Sequence, residues 1–389
     1  MEYREAFGID IGFDYSYAGI FRNGRVVIAT NDAGKEITPS FVTFRENEIL
    51  IGISSYNIRN RYPENTIYGI TKLIWRKYND YEVQEFIKNV PYKIEKDLNS
   101  DRPVIIIKNM EQTNKYYPED IYLLFLQRLK KFCSDLRGED INNIILSVPS
   151  DFNEKQKEII KKTAENKGLN ISKIIYKSTA ASISFFYKNL KDKKNVLIYS
   201  MDRFYSNITI LTIENNIFTT LVSNNYNLGK EDFIPKLLQY LINNFEEQTD
   251  INLNLNKYHK AIKRLRKECK SCIDQLCSIK EYTIDLDTLA CGEDFLIEIT
   301  WAGFEGLCED LFKKIIINIE NTLEISKLNK YEIEYIIFEG DCYIVKIQEI
   351  IKDFFDNAII NKGINQMEIN AYGATLIQKI DFDIIKKQN

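Results

Sequence analysis

Asp10 has the setting that most plainly invites chemistry. It sits in Gly8-Ile-Asp-Ile-Gly12, a short apolar run that ends in glycine. A carboxylate there can hold a cation or bond the amides of its own turn. With few acidic neighbours it is a poor magnesium ligand, so the second role is the expected one. Cys269-x-x-Cys272 with Cys277 has the beginning of a zinc spacing. Two cysteines at i and i+3 of a helix still need further ligands. The chain's one histidine, His259, lies more than two helical turns away, so the expected reading is ordinary thiols and no metal site. A single histidine also argues against histidine-based acid–base or nucleophilic catalysis.

The elements that must carry these residues can be read from periodicity. Ala6–Gly12, Ser16–Phe21 and Arg25–Ala29, with Asn23-Gly24 between the last two, predict a three-stranded antiparallel meander. Residues 119–137 predict an amphipathic helix opened by Pro118 and stopped by Gly138, with Ile121, Leu124, Phe125, Leu129, Phe132 and Leu136 on one face. A strand at 144–148, a helix near 154–167, a strand at 172–176 and a helix from Thr179 follow. The opening then recurs: strands at 195–199, 208–213 and 219–222 predict a second meander. Helices at 230–246 and 257–277, a strand at 335–338 and helices near 343–356 and 369–380 complete the chain. Alternating helices and strands imply an α/β fold, and two copies of one unit imply two lobes facing a ligand cleft.

Composition narrows the class. The chain has 389 residues, 44% of them hydrophobic, enough for two substantial cores. Its 52 basic and 56 acidic residues leave a net charge of −4, so nothing signals direct nucleic-acid binding. The start Met-Glu-Tyr-Arg-Glu-Ala-Phe-Gly has no apolar signal core, and no stretch reaches eighteen unbroken apolar residues. No membrane partner is expected. Seven cysteines, an odd number, suit a reducing compartment, and the expected location is cytoplasmic.

Several motifs in order make a more specific statement. Gly8-Ile-Asp-Ile-Gly12 with Tyr15-Ser16, Asn31-Asp-Ala-Gly34, Thr38-Pro-Ser-Phe-Val42, Pro63-Glu-Asn-Thr66, Ser147-Val-Pro149, Leu228-Gly-Lys-Glu-Asp-Phe233, and Asn365 with Ala371-Tyr-Gly-Ala374 together resemble the ATPase domain of the seventy-kilodalton heat-shock chaperones. The resemblance covers residue 7 to about 380. It implies the actin/hexokinase-like fold: two lobes, each with a core and an outer subdomain, around a central cleft. Lobe I would span 1–188 with its outer subdomain at about 41–117. Lobe II would span 189–383 with its outer subdomain at about 230–307. A tail at 384–389 would follow, with a vestige of the family's linker in Phe382 and Ile384-Ile385 and no peptide-binding domain.

The resemblance also implies a nucleotide site, and here the residues depart from the family. Phosphoryl transfer needs glycine turns that cradle phosphate, carboxylates around Mg²⁺ and a positioned water. Asp10, Gly12 and Tyr15 survive on the first turn, but Phe13-Asp14 replaces Thr-Thr, and the Phe13 ring is expected where phosphate would lie. The family's lysine falls on Thr71 and its metal-shell glutamate on Lys177. The second turn, Asp-Leu-Gly-Gly-Gly-Thr in the family, reads Ser200-Met-Asp-Arg-Phe-Tyr205, and the other acid of that strand is Asn207. The base-binding positions correspond to Lys270, Ile273, Asp274 and Cys277. The adenine loop has shrunk to Gly340-Asp-Cys-Tyr343, and the late aspartate is Met367.

The expectation is therefore a pseudo-ATPase with no catalytic residues and no cofactor, acting as an interaction protein or co-chaperone. By resemblance its partners would be a working heat-shock chaperone, a J-domain protein, the ribosome or another assembly. The alternative is a conformational switch that binds ATP or ADP with Mg²⁺ without hydrolysis, using Gly12, Gly229, Gly340 and Gly373 as its remaining backbone contacts.

Overall fold

The opening meander forms as its alternation requires. Strands Phe7–Ile11, Tyr15–Arg22 and Arg25–Ile28 pair in sequence, and Asn23 and Gly24 turn the second hairpin at φ 51° and 79°. The computed structural model describes residues 5–379 except 47, 110–111, 255–256 and 341–343. The shortened adenine loop after Gly340, the 384–389 tail and the linker vestige at Phe382 and Ile384-Ile385 lie outside the described residues.

The described residues fall into two compact units. The first comprises residues 5–193, 213–219 and 363–379, and the second 194–212 and 220–362. In the first, the meander is extended by parallel strands Asn143–Val148 and Asn170–Tyr176, with Phe7–Ile11 beside Asn143–Val148. In the second, the meander Lys194–Met201, Ser206–Glu214, Ile217–Tyr226 is extended the same way by Tyr335–Gly340 and Ile359–Ile360. One strand order serves both sheets, which makes the duplication structural as well as sequential. The fold is mixed α/β, of the actin/hexokinase-like class.

The helix Pro118–Arg137 buries Ile121, Tyr122, Phe125, Leu126, Leu129 and Phe132 and stops at Gly138, φ 84°. Residues 363–379, read from sequence as the close of the second lobe, pack instead within the first unit. Their helix, Ile369–Leu376, crosses Lys177–Phe186 at backbone contact. A Cβ on Gly373 would lie 1.8 Å from the Ala180 carbonyl oxygen. Gly373 is thus buried for close helix packing and is not exposed as a nucleotide contact.

Two further three-stranded sheets stand in the first unit: Glu48–Ile51, Val42–Arg45, Thr66–Ile67, and Gln112–Tyr116, Pro103–Asn109, Lys93–Lys96. The second unit adds the hairpin Glu281–Ala290, Glu293–Thr300 and the helix Glu309–Ser326. One apolar cluster runs from Leu197 and Tyr199 through Phe233, Leu265 and Phe295 to Ile347. Among the described residues no helix is long and apolar enough to cross a membrane.

Candidate functional site

Each meander carries the turn that the sequence reading assigned to phosphate. In the first unit the Gly12 N–H donates to the Tyr15 carbonyl at 3.0 Å. In the second the Asp202 N–H donates to the Tyr205 carbonyl at 2.8 Å. The same four-residue turn has been used twice, and in each the leading amide is satisfied internally.

Asp10 is buried, 4% exposed, at the end of its strand. Ser147, from the neighbouring parallel strand, donates its hydroxyl to Asp10 Oδ1. The Lys177 ammonium lies 3.2 Å from Oδ1 and 3.3 Å from Oδ2. Its partners are therefore a hydroxyl and an ammonium, and the expected bonds to its own turn's amides are not what holds it. Tyr122 is buried nearby, and burial first and the Asp10 charge second push its phenol well above the usual tyrosine range.

Phe13 corrects the expectation made for it. Its ring is 3% exposed and meets Phe86 and Tyr68 edge-on, with centroids 6.0 and 6.4 Å away. It also lies against Gly69, where a Cβ would come within 2.8 Å of it. Apolar burial turns the ring into the aromatic core of the 41–117 region instead of leaving it over the turn. Thr71 is buried in the short 3-10 turn Ile70–Lys72 that follows Gly69. Trp75, half-buried at φ 50°, donates its backbone N–H to Glu119 Oε1, and the Arg102 guanidinium stacks 4.1 Å from its ring.

The second turn is closed by its neighbours. Lys230 N–H donates to the Asp202 carbonyl at 3.2 Å and Glu231 N–H to the Arg203 carbonyl at 2.8 Å. Gly229 lies so close that a Cβ would come within 2.4 Å of Phe204 backbone carbon and 2.5 Å of Tyr205 nitrogen. Tyr205 is buried, 8% exposed. Ser200 pairs in register with Glu339, and Met201 with Gly340, whose φ is 72°.

Asn207 is held in a polar ladder. Its amide donates to Ser223 Oγ and Asn225 Oδ1 at 3.1 and 3.0 Å, and its oxygen accepts from Thr209 at 2.8 Å. The positions expected to face the base are also engaged. Lys270 and Arg266 both pair with Glu231, at 2.6 and 2.5 Å, and Lys230 pairs with Asp274. Burial raises the Glu231 carboxyl, but the Lys270 hydrogen bond and the Lys270 and Arg266 charges outweigh it and hold the group below the ordinary range. Ile273 is buried. Met367 packs beside Tyr17, Ile28 and Ala371.

Cys269 and Cys272 point into the large core of the second unit, where burial pushes both thiols up to about 12. No group of three metal-ligating side chains occurs among the described residues. Ser147, Tyr122, Arg266 and Glu231 carry interactions to which the sequence reading gave no role. The Asp10–Lys177 contact itself had a signal in the sequence: a retained Asp10 with a basic residue at 177 is a compensated pair.

Comparison with known proteins agrees with this architecture. A family model described as "Hsp70 protein" matches residues 6–383. The chain is 35% identical over 374 residues to "Heat shock 70 kDa protein 2" of Paracoccidioides lutzii, and equally to "Heat shock 70 kDa protein" of Neurospora crassa and of Trichophyton rubrum. In each case 95% of this chain is matched to 57% of the relative's length. The match thus takes in little more than half of those proteins. A match across nearly the whole chain, on a duplicated fold with two equivalent turns, shows that this chain belongs to the Hsp70 family.

Proposed function

We propose that this chain is a non-catalytic member of the family, a pseudo-ATPase that acts through protein contacts as a co-chaperone or a part of a chaperone assembly. The observation that carries the reading is the turn Asp202–Tyr205. Phosphate binding on such a turn requires free amides and room at the backbone. Here the Asp202 amide is bonded to Tyr205, the adjoining Lys230 and Glu231 amides are bonded back to the turn, and Arg203, Phe204 and Tyr205 carry side chains where the family has glycine or threonine.

The first unit supports the same conclusion. The residues around Asp10 do not fit a divalent cation, because an ammonium approaches both carboxylate oxygens within 3.3 Å and supplies the charge that a cation would bring. Phe13 offers no hydroxyl, and Thr71, Ser200 and Asn207 offer neither an ammonium nor a carboxylate. Phosphoryl transfer depends on positioned charge, and these groups carry the wrong sign or none.

A fold of this size offers ample surface for partners. A working heat-shock chaperone, a J-domain protein or the ribosome are the partner classes we propose, in a cytoplasmic setting. The competing reading is a switch that binds nucleotide without turning it over. Phosphate release from ATP by the purified protein tests the catalytic part. The expected rate equals that of buffer, and release abolished by Asp10→Asn would overturn the proposal.

A further inference from the structure

Lys177 stands where helix electrostatics disfavours it. It is the first residue of the helix Lys177–Phe186, and a cation in the first turn opposes the partial positive charge of the helix N-terminus. Its side chain is nonetheless drawn in to 17% exposure against a carboxylate that is 5% exposed. The two contacts to Asp10 differ by only 0.1 Å, at 3.2 and 3.3 Å, so the ammonium straddles both oxygens much as a metal ion would. It also occupies the notch beside Gly12, where a Cβ would lie 3.9 Å from Nζ. Ser147 completes the shell from the adjacent strand.

We propose that Lys177 is a tethered cation that takes the place of a dissociable divalent ion at Asp10, so that removing its ammonium uncovers a divalent-cation site built on Asp10 and Ser147. The proposal rests on the functional reading above and adds its mechanism: the neutralising charge at the turn is carried by a side chain of the protein itself. A buried carboxylate without a counter-charge is strongly disfavoured, and the Ser147 hydroxyl does not neutralise it, so loss of the ammonium leaves a charge that an added cation neutralises.

The probe is Mn²⁺ as its chloride, read by water-proton relaxation and by thermal unfolding. Wild-type protein is expected to show no saturable Mn²⁺ binding and no change in melting temperature at millimolar metal. Lys177→Glu is expected to bind Mn²⁺ saturably over the same concentration range, because the local charge changes by two units. It should also melt higher with metal than without, and both responses should vanish when Asp10→Asn is added. If Lys177→Glu does not fold without metal, Lys177→Gln carries the test, and its melting temperature should rise with Mn²⁺ in an Asp10-dependent way. Equal Mn²⁺ binding by wild type and variants, or no Asp10-dependent response in either variant, would overturn the proposal. Those outcomes leave the functional reading standing. Nucleotide binding by the wild-type protein would sink that reading without touching the Mn²⁺ result.

Discussion

Lys177 and Asp10, 167 residues apart in the chain, close an ion pair at the turn where the family's ATPase domain would gather phosphate and metal. The pair joins the first strand of the sheet to a helix entered from its outermost parallel strand. It therefore reports on tertiary structure as well as on the site.

Breaking it from one side should be costly. Asp10→Asn leaves the Lys177 ammonium largely buried with a neutral neighbour, and the expected loss is about 3 kcal/mol of unfolding free energy. Adding Lys177→Met should recover much of that loss, because the pair is removed together. Denaturant melts of the two single variants and the double variant check this. Additive losses would contradict it.

Phe13 is a core residue in this structure. Phe13→Ala should cost about 3–5 kcal/mol, and Phe13→Thr, which returns the family's hydroxyl, should be destabilised to a similar degree. Neither should acquire nucleotide binding. Calorimetric melting and a nucleotide titration on the same samples measure both parts.

Gly373→Ala should disrupt the crossing of Ile369–Leu376 with Lys177–Phe186, since its Cβ would overlap the Ala180 carbonyl at 1.8 Å. The expected cost is about 3 kcal/mol, the upper part of the overpacking range. Gly138→Ala is the comparison. Nothing lies within 4 Å of its Cβ, and φ 84° is its only burden, which costs about 1 kcal/mol. Chemical denaturation of the two variants should rank them in that order.

The Glu231 lattice gives a pH dependence of defined sign. The carboxyl is held below its ordinary range by Lys270 and Arg266, so its contribution is present above the unfolded-state pKa and is lost as pH falls through the folded one. Wild type should exceed Glu231→Gln by about 1 kcal/mol at pH 7, a figure reduced because both cations are partly exposed. The difference should shrink as pH drops below about 4. Melting curves from pH 3 to 7 follow it, and a gap that widens in acid would contradict the assignment.

Much of the fold was legible because its periodic elements are strong. The two meanders, the helix Pro118–Arg137 with its Gly138 stop and the parallel strands all follow from alternation and capping. The strands of 41–117, the hairpin after Glu281 and the helix Glu309–Ser326 were not read from sequence; the short outer strands, for one, are set by tertiary contacts such as Phe44 with Tyr116.

At the site, the substituted residues were identifiable one at a time, while their new partners were not. Phe13 was expected over the turn, yet burial against Phe86 and Gly69 decides its direction. Lys177 was read as a lost acid, when its meaning lies in the Asp10 that remained. Arg266 and Glu231 escaped because ion pairs between a helix and a distant turn leave no trace in spacing.

The most direct test of the account is calorimetric titration of the purified, nucleotide-free protein with Mg·ADP and Mg·ATP at millimolar concentration. The account predicts no saturable heat for either, with wild type and Asp10→Asn indistinguishable. Saturable binding of either nucleotide that Asp10→Asn weakens would contradict it.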